Sequence, residues 1–178
     1  MNIYVDCGFY RGIALGNYLK DGVVDDSWKF YAFEPNEELN LEESIDTLGV
    51  PIELIKKAVW IENTTVPFST YDRDNASSIQ GTTAHDNPKT VDVPAIDFSE
   101  FVAGLPEDAN IYCSMDIEGA EFVVLAKMIA DETISKINVL DIEFHHRFMS
   151  DYTEDDAAKL ISQLESLGVE VRLKVPLI

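Results

Sequence analysis

The densest group of residues that could carry chemistry lies in the segment SMDIEGAE, at residues 114–121. It places three carboxylates, those of Asp116, Glu118 and Glu121, within six residues. Carboxylates so close together repel one another unless a helix N-terminus, a metal ion or a ligand compensates their charge. Glu118 and Glu121 share one face of a predicted helix, whereas Asp116 ends a predicted strand. The helix dipole alone explains Glu121, but Asp116 is better explained by a functional site.

A second polar group, DIEFHH at residues 141–146, ends the next predicted strand. Because side chains alternate along a strand, Asp141, Glu143 and His145 are predicted to lie on one side. That side can supply a general base or a metal ligand, and His145 is attractive because its ordinary pKa is near neutrality. A polar strand end that faces water explains the pattern equally well. The histidines have no zinc-site spacing with the two cysteines of the chain, so no metal ligand is assigned from the sequence.

Two further features together indicate a ligand of the adenosine type. Asp6, Gly8 and Gly12 form D-x-G-x-x-x-G after the first predicted strand, where glycine lets the backbone approach a ligand. Glu34 follows the second strand, where an acid can accept hydrogen bonds from both ribose hydroxyls. Each feature alone has a structural explanation. The glycines can form a turn that only serves packing, and Glu34 can be an acid that complements the dipole of a helix starting near Asn36. The glycine spacing disfavours NAD, and the chain has no G-x-x-x-x-G-K-[ST] motif for a triphosphate.

These residues lie on an alternating series of predicted strands and helices. Strands are predicted at 3–5, 30–33, 52–61, 111–115, 137–144 and 169–175, and helices at 12–19, 36–48, 98–105, 118–129 and 153–167. Thr153 and Asp156 form a capping box at the start of the last helix. The alternation predicts an α/β fold, a mainly parallel sheet with helices on both faces. In such a sheet, ligands bind beyond the carboxyl ends of the strands.

Residues 62–94 interrupt this alternation, because Thr, Ser, Asn, Asp, Gly and Pro dominate there. A segment of this length and composition is usually a binding loop or a lid, or else it is mobile. Short strand-like pieces at 66–68 and 91–93 predict an inserted hairpin whose tip lies near Asp72 to Pro88.

Composition limits the classes of partner. The 178 residues, 46% of them hydrophobic, predict a single domain over residues 1–178. A formal net charge of −20 repels phosphate backbones, so nucleic-acid binding is not expected, and a soluble acidic surface accounts for the charge. No apolar run approaches membrane length and no leader precedes the first strand, so no membrane contact is expected. With two cysteines and no disulfide framework, a cytoplasmic location is expected.

Taken together, these segments resemble the FkbM-type methyltransferases. The matching stretches are YVDCGFYRG, FYAFEPN, KKAVW, SMDIEGAEFVVL and VLDIEFH, which come in the family's order from about Tyr4 to His145. The most specific of them is D-x-E-G-x-E followed by an apolar helix. The chain departs from the family at Ser114, where lysine is common. It also has one predicted strand after the Thr153 helix, where this fold usually has two, which is compatible with a homo-oligomer that completes the sheet edge.

The resemblance implies a Rossmann-like class I methyltransferase fold, S-adenosyl-L-methionine as the methyl donor, and O-methylation of a sugar or another small molecule. The methionine part of the cofactor would lie near Asp6 and Gly8, the ribose on Glu34, and the adenine near residues 57–59. Asp116 would lie near the reacting centre. The implied cofactor contacts are Asp6, Gly8, Tyr10, Gly12, Glu34, Asn36, Ala58, Val59, Ser77, Ser78 and Asp116.

Methyl transfer to a neutral hydroxyl is easier when a base takes the proton. The candidates are Asp116, Glu118 and His145, of which Asp116 is favoured; a divalent metal bound by Asp116 and its neighbours could activate the hydroxyl instead. Two other functions stay open. One is a cofactor-binding interaction module with weak catalysis, supported by the acidic surface and by Ser114. The other is an NAD-type oxidoreductase or epimerase, disfavoured by the glycine spacing and by the lack of a Tyr-x-x-x-Lys pair.

Overall fold

A computed structural model describes residues 1–70, 79 and 89–174 of the chain. The strands in these ranges are β1 (Asn2–Cys7), β2 (Lys29–Phe33), β3 (Ile52–Ile55), β4 (Ala58–Trp60), β5 (Thr64–Thr70), β6 (Lys89–Asp97), β7 (Asn110–Met115), β8 (Ile137–Ile142) and β9 (Glu170–Leu173). The α-helices are α1 (Ile13–Lys20), α2 (Leu41–Leu48), α3 (Phe98–Ala103), α4 (Glu121–Ala130) and α5 (Glu154–Ser166). Within the same ranges, no helix has the length and apolar character needed to cross a bilayer.

Six strands form the main sheet in the order β3-β2-β1-β7-β8-β9, and every neighbouring pair is parallel. Apolar side chains on both faces of β1, β2 and β7 explain this arrangement, because a parallel sheet is covered by helices on both sides. The predicted α/β fold of the Rossmann-like methyltransferase kind is therefore confirmed.

The two faces of the sheet have separate cores. On one face, Leu15 of α1 and Leu41 of α2 pack with Tyr4, Phe30 and Tyr112 of the strands. On the other face, α3, α4 and α5 cover the alternate residues of the same strands, which include Ile3, Val5, Ile111, Cys113 and Met115. Both cores bring the carboxyl ends of β1, β2, β7 and β8 to one edge of the sheet.

The segment predicted as one strand over residues 52–61 is two strands in two different sheets. The chain turns after Ile55, whose carbonyl accepts hydrogen bonds from Glu34 N at 3.2 Å and from Lys57 N at 2.8 Å. It then enters a three-stranded sheet of order β4-β6-β5, in which β5 and β6 are antiparallel. The predicted inserted hairpin is therefore present, while its predicted tip at residues 72–88 lies, apart from Ile79, outside the described residues.

Two helices begin later than predicted. α2 starts at Leu41 rather than Asn36, because the Asn36 side chain instead accepts a hydrogen bond from Glu38 N at 3.0 Å and forms a turn. α4 starts at Glu121 rather than Glu118, because Glu118 and Gly119 have φ values of 54° and 108°, which a right-handed helix excludes. The predicted capping box of α5 is confirmed by the reciprocal hydrogen bonds of Thr153 and Asp156.

Candidate active site

Backbone hydrogen bonds hold four strand ends side by side at one edge of the main sheet. Gly8 N donates to Phe33 O at 3.1 Å, which joins the ends of β1 and β2. Asp116 N donates to Cys7 O at 2.9 Å, and Glu143 N donates to Met115 O at 3.1 Å. This edge is where open α/β sheets bind their ligands. It carries the predicted site residues Asp6, Gly8, Glu34, Asp116 and His145.

The glycine turn after β1 is packed tightly against the chain itself. Gly8 has a φ of +85°, and a Cβ atom on it would lie 1.9 Å from the carbonyl oxygen of Asp116. Gly12 has a φ of +72°, and a Cβ atom there would lie 2.7 Å from side-chain atoms of Leu48 and Phe9. Glycine at position 8 is therefore required by the approach of the segment after β7, which places Asp116 next to the turn.

Asp6 is a buried carboxylate with one oxygen unused. Its Oδ2 accepts a hydrogen bond from the Tyr4 hydroxyl at 3.2 Å, whereas its buried Oδ1 has no hydrogen-bond partner among the described residues. Burial raises the pKa of Asp6 to about 6, against the opposing effect of the positive charge of Lys174. A buried acceptor without a donor is costly, so this atom fits a ligand that donates a hydrogen bond.

Glu34 is fixed in one orientation by two backbone donors. Tyr10 N donates to Oε2 at 2.8 Å, and Asn36 N donates to Oε1 at 2.9 Å. Burial raises the pKa of Glu34 to about 7, although these two hydrogen bonds oppose the rise. Tyr10 adopts a φ of 50°, a conformation that costs a non-glycine residue free energy and that turns its N–H towards Glu34. The structure thus brings Tyr10 and Asn36 to Glu34 through their backbones.

His145 lies at the centre of the carboxylate cluster and is held from behind by Glu121. Its Nδ1 is 3.0 Å from Glu121 Oε1, and the two oxygens of Glu121 also accept hydrogen bonds from Ile117 N at 3.1 Å and Gly119 N at 2.9 Å. Glu121 has no exposed surface. The helix-dipole role predicted for this residue is therefore incomplete, because its carboxylate also orients the imidazole and the turn before α4.

The other ring nitrogen of His145 faces three carboxylates. Nε2 lies 3.6 Å from Asp116 Oδ1, 3.5 Å from Glu118 Oε2 and 3.6 Å from Glu143 Oε1. Burial lowers the pKa of His145, but the hydrogen bond and the negative charge of Glu121, together with the neighbouring carboxylates, outweigh this and raise it to about 9. Burial raises the pKa of Glu118 to about 7. The three residues predicted as catalytic, Asp116, Glu118 and His145, are thus in contact.

Asp141 does not share these contacts, so the prediction that it lies with Glu143 and His145 is wrong. Its Oδ2 accepts hydrogen bonds from the hydroxyls of Tyr18 and Tyr112 on the α1 face of the sheet. The physical reason is that β8 ends at Ile142, so the alternation of side chains does not continue to residues 143–145.

A lysine that sequence reasoning missed contacts the centre of the sheet edge. Lys174, directly after β9, donates from Nζ to Ser114 Oγ at 2.8 Å, and its backbone N donates to Ile142 O at 2.9 Å. The ammonium group therefore lies at the position where the chain departs from the family pattern. The only sequence signal was a lysine at the end of the last predicted strand.

The remaining predicted contacts lie on the inserted sheet and in its loop. Ala58 and Val59 of β4 are buried in two apolar clusters and are 2% and 3% exposed. Their proximity to the adenine stays a prediction. Ser77 and Ser78 lie outside the described residues.

Comparison with known proteins agrees with this geometry. The profile of the family described as Methyltransferase FkbM domain matches residues 6–171. This range contains the glycine turn, Glu34 and the carboxylate cluster. No curated protein and no solved structure matches the chain. Because the profile spans nearly the whole sequence, the chain belongs to the FkbM methyltransferase family.

Proposed function

We propose that this methyltransferase uses S-adenosyl-L-methionine to methylate a hydroxyl group of a sugar or another small molecule. The observation that carries the proposal is the pair of buried carboxylates at the ends of β1 and β2. Asp6 has an oxygen without a hydrogen-bond donor among the described residues, and Glu34 is held rigidly by two backbone N–H groups. The two carboxylates lie at the ends of neighbouring strands, since Asp6 pairs with Ala32 and Cys7 with Phe33 in the parallel register of β1 and β2.

Both carboxylates suit S-adenosyl-L-methionine. The unused Oδ1 of Asp6 would accept a hydrogen bond from the ammonium group of the methionine part. Each oxygen of Glu34 already accepts one backbone N–H and keeps a lone pair for a ribose hydroxyl. When bound, the cofactor supplies a methyl group on a positively charged sulfur. Asp6 and Glu34 would fix its position, so that an acceptor can be aligned with that methyl group.

Asp116 is the best-placed group to take the proton of the acceptor hydroxyl. Its side chain is 36% exposed, compared with 18% for Glu118 and 4% for His145, so it is the member of the cluster that an acceptor can reach. His145 faces Asp116 from the protein side, with Nε2 3.6 Å from Oδ1. This division of roles agrees with the need for a base within hydrogen-bond reach of the reacting hydroxyl.

One of the two observations that favoured a cofactor-binding interaction module with weak catalysis is weakened by the structure. It depended partly on Ser114, where the family commonly has lysine, but Lys174 brings an ammonium group to 2.8 Å from the Ser114 hydroxyl. The net charge of −20 continues to argue against nucleic acid as the acceptor. An uncharged small molecule rich in hydroxyl groups is the acceptor class that we favour.

Calorimetric titration tests the cofactor. We expect S-adenosylmethionine and S-adenosylhomocysteine to bind the purified chain and NAD not to bind. Glu34→Gln should weaken both sulfur ligands about tenfold, because a hydrogen bond to a charged group contributes about 1.5–3 kcal/mol. Glu53→Gln, at an exposed side chain of β3, is the matched control and should bind like the unaltered chain. NAD binding without a response to either sulfur ligand would refute the proposal.

A further inference from the structure

The arrangement around His145 Nε2 resembles the donor set of a metal centre. Asp116, Glu118 and His145 each offer one ligand atom, and these three atoms lie within 4.8 Å of one another. Each carboxylate oxygen is 3.5–3.6 Å from Nε2. Two donors about 2.1 Å from one ion are about 3.0 Å apart at a right angle and about 3.4 Å apart at a tetrahedral angle. Each carboxylate can therefore share an ion with His145 Nε2 after a shift of a few tenths of an ångström.

The orientation of His145 is also that of a metal ligand. Glu121 Oε1 already accepts a hydrogen bond from Ile117 N, so it acts as an acceptor and the proton of the pair is on His145 Nδ1. Nε2, on a side chain that is 4% exposed, is directed at Asp116 and Glu118, and an ion that binds there would displace its proton to solvent. A buried carboxylate behind the far nitrogen of a histidine is the usual support of a histidine that binds metal.

The charge of the cluster calls for a cation. Four carboxylates surround one imidazole, and of these Glu143 also pairs with Arg147 at 3.1 Å. Several carboxylate oxygens that face one point form a favourable environment for a divalent cation. Glu118 is moreover held at a φ of 54°, and backbone strain of this kind is concentrated at functional sites.

We infer that Asp116, Glu118 and His145 bind a divalent cation, with Mn²⁺ as the best-matched ion. Two hard oxygens and one imidazole nitrogen suit Mn²⁺ better than a soft ion, and the exposed side of Asp116 gives the ion access to solvent and to a second ligand. In the proposed reaction, on which this role rests, one oxygen of Asp116 would hold the ion, the ion would bind the acceptor hydroxyl and lower its pKa, and the other oxygen of Asp116 would take the proton.

Mn²⁺ alone, added to chelator-treated protein and followed by the electron paramagnetic resonance of the free ion, tests the site. We expect one ion per chain, and a loss of affinity of at least tenfold in Asp116→Asn. Asp46→Asn, which removes the same charge from an exposed position of α2, is the matched control and should change the affinity less than twofold. Equal losses in the two variants would mean nonspecific attraction to an acidic protein and would overturn the inference.

A second measurement uses the unaltered chain and does not depend on the folding of a variant. A few hundredths of an equivalent of Mn²⁺ should broaden the ring proton signals of His145 selectively among the three histidines. Unchanged His145 signals would mean that a protonated imidazole alone holds the carboxylates, and would overturn the site.

Calorimetry of S-adenosylmethionine on the metal-free protein separates this inference from the proposed function. Cofactor binding without a Mn²⁺ site refutes only the metal inference. A Mn²⁺ site without cofactor binding refutes only the proposed function.

Discussion

The tight contact of Gly8 with the segment after β7 predicts how much stability an alanine at this position would cost. A Cβ atom at Gly8 would lie 1.9 Å from the Asp116 carbonyl oxygen, whereas real Cβ contacts are essentially never under 3.0 Å. Gly8→Ala must therefore separate the turn from the segment after β7 by about 1.1 Å. That movement would disrupt the hydrogen bond of 2.9 Å between Asp116 N and Cys7 O.

Two contributions add to the loss of stability. The positive φ costs alanine about 1–2 kcal/mol, and a buried hydrogen bond left unmade costs about 1–3 kcal/mol more. Gly168 provides the matched control, because its φ of +91° is similar to the +85° of Gly8, but among the described residues, its chain neighbours aside, no atom lies within 4 Å of the point that an alanine Cβ would occupy there. We expect Gly168→Ala to lower the free energy of unfolding by about 1–2 kcal/mol and Gly8→Ala by about 2–5 kcal/mol.

Urea unfolding followed by circular dichroism measures both variants. In thermal unfolding the same losses correspond to decreases in Tm of about 5 °C for Gly168→Ala and about 10 °C for Gly8→Ala. If the two variants lose equal stability, the reasoning from the contact between Gly8 and Asp116 is wrong, and only the backbone conformation matters at position 8.

Two further predictions concern buried carboxylates. Glu34 has a folded-state pKa of about 7 against an ordinary 4.5, so the unfolded chain releases this proton at lower pH, and its ionisation should cost stability progressively as pH rises from about 4 to about 7. Urea unfolding across this range should therefore show a smaller decrease for Glu34→Gln than for the unaltered chain, and parallel curves would contradict the burial of this charge. Glu121→Gln should lower the free energy of unfolding by about 1–3 kcal/mol, since an amide nitrogen would face Ile117 N or Gly119 N, two donors now paired with carboxylate oxygens. Glu154 is an exposed acid in the first turn of α5, and Glu154→Gln should change the free energy of unfolding by less than about 0.5 kcal/mol. An equally small effect of Glu121→Gln would mean that Glu121 only complements the helix dipole.

The parts of the fold that could be predicted are those set by local pattern. Alternating apolar strands and capped helices predicted the parallel sheet, and the capping box fixed the start of α5. The break between β3 and β4 could not be predicted, because large apolar residues typical of strands stand on both sides of Lys56 and Lys57 and no Gly or Pro separates them. The turn at Ile55 and Lys57 depends on which sheet each half pairs with, a long-range choice that local propensity does not contain.

In the site, too, local patterns could be predicted and long-range contacts could not. The rule that ligands bind at the carboxyl ends of strands was enough to select Asp116, Glu118 and His145, which the structure brings into contact. The contact of Glu121 with His145 could not be predicted, because an acid in the first turn of a helix has the same sequence pattern whether or not it orients a histidine. Asp141 was misplaced because the exact end of β8 decided on which side the next residues lie.

The contact between Lys174 and Ser114 brings an ammonium group from a distant part of the chain to the position at which the family resemblance leads one to expect a lysine. The two residues are 60 positions apart, yet the ammonium group is 2.8 Å from the serine hydroxyl. Column-by-column comparison would classify such a chain as having lost a residue of its site. In relatives that have an uncharged residue at this position, we therefore expect a lysine or arginine directly after the outermost strand to be a better sign of an intact site than the residue at this position.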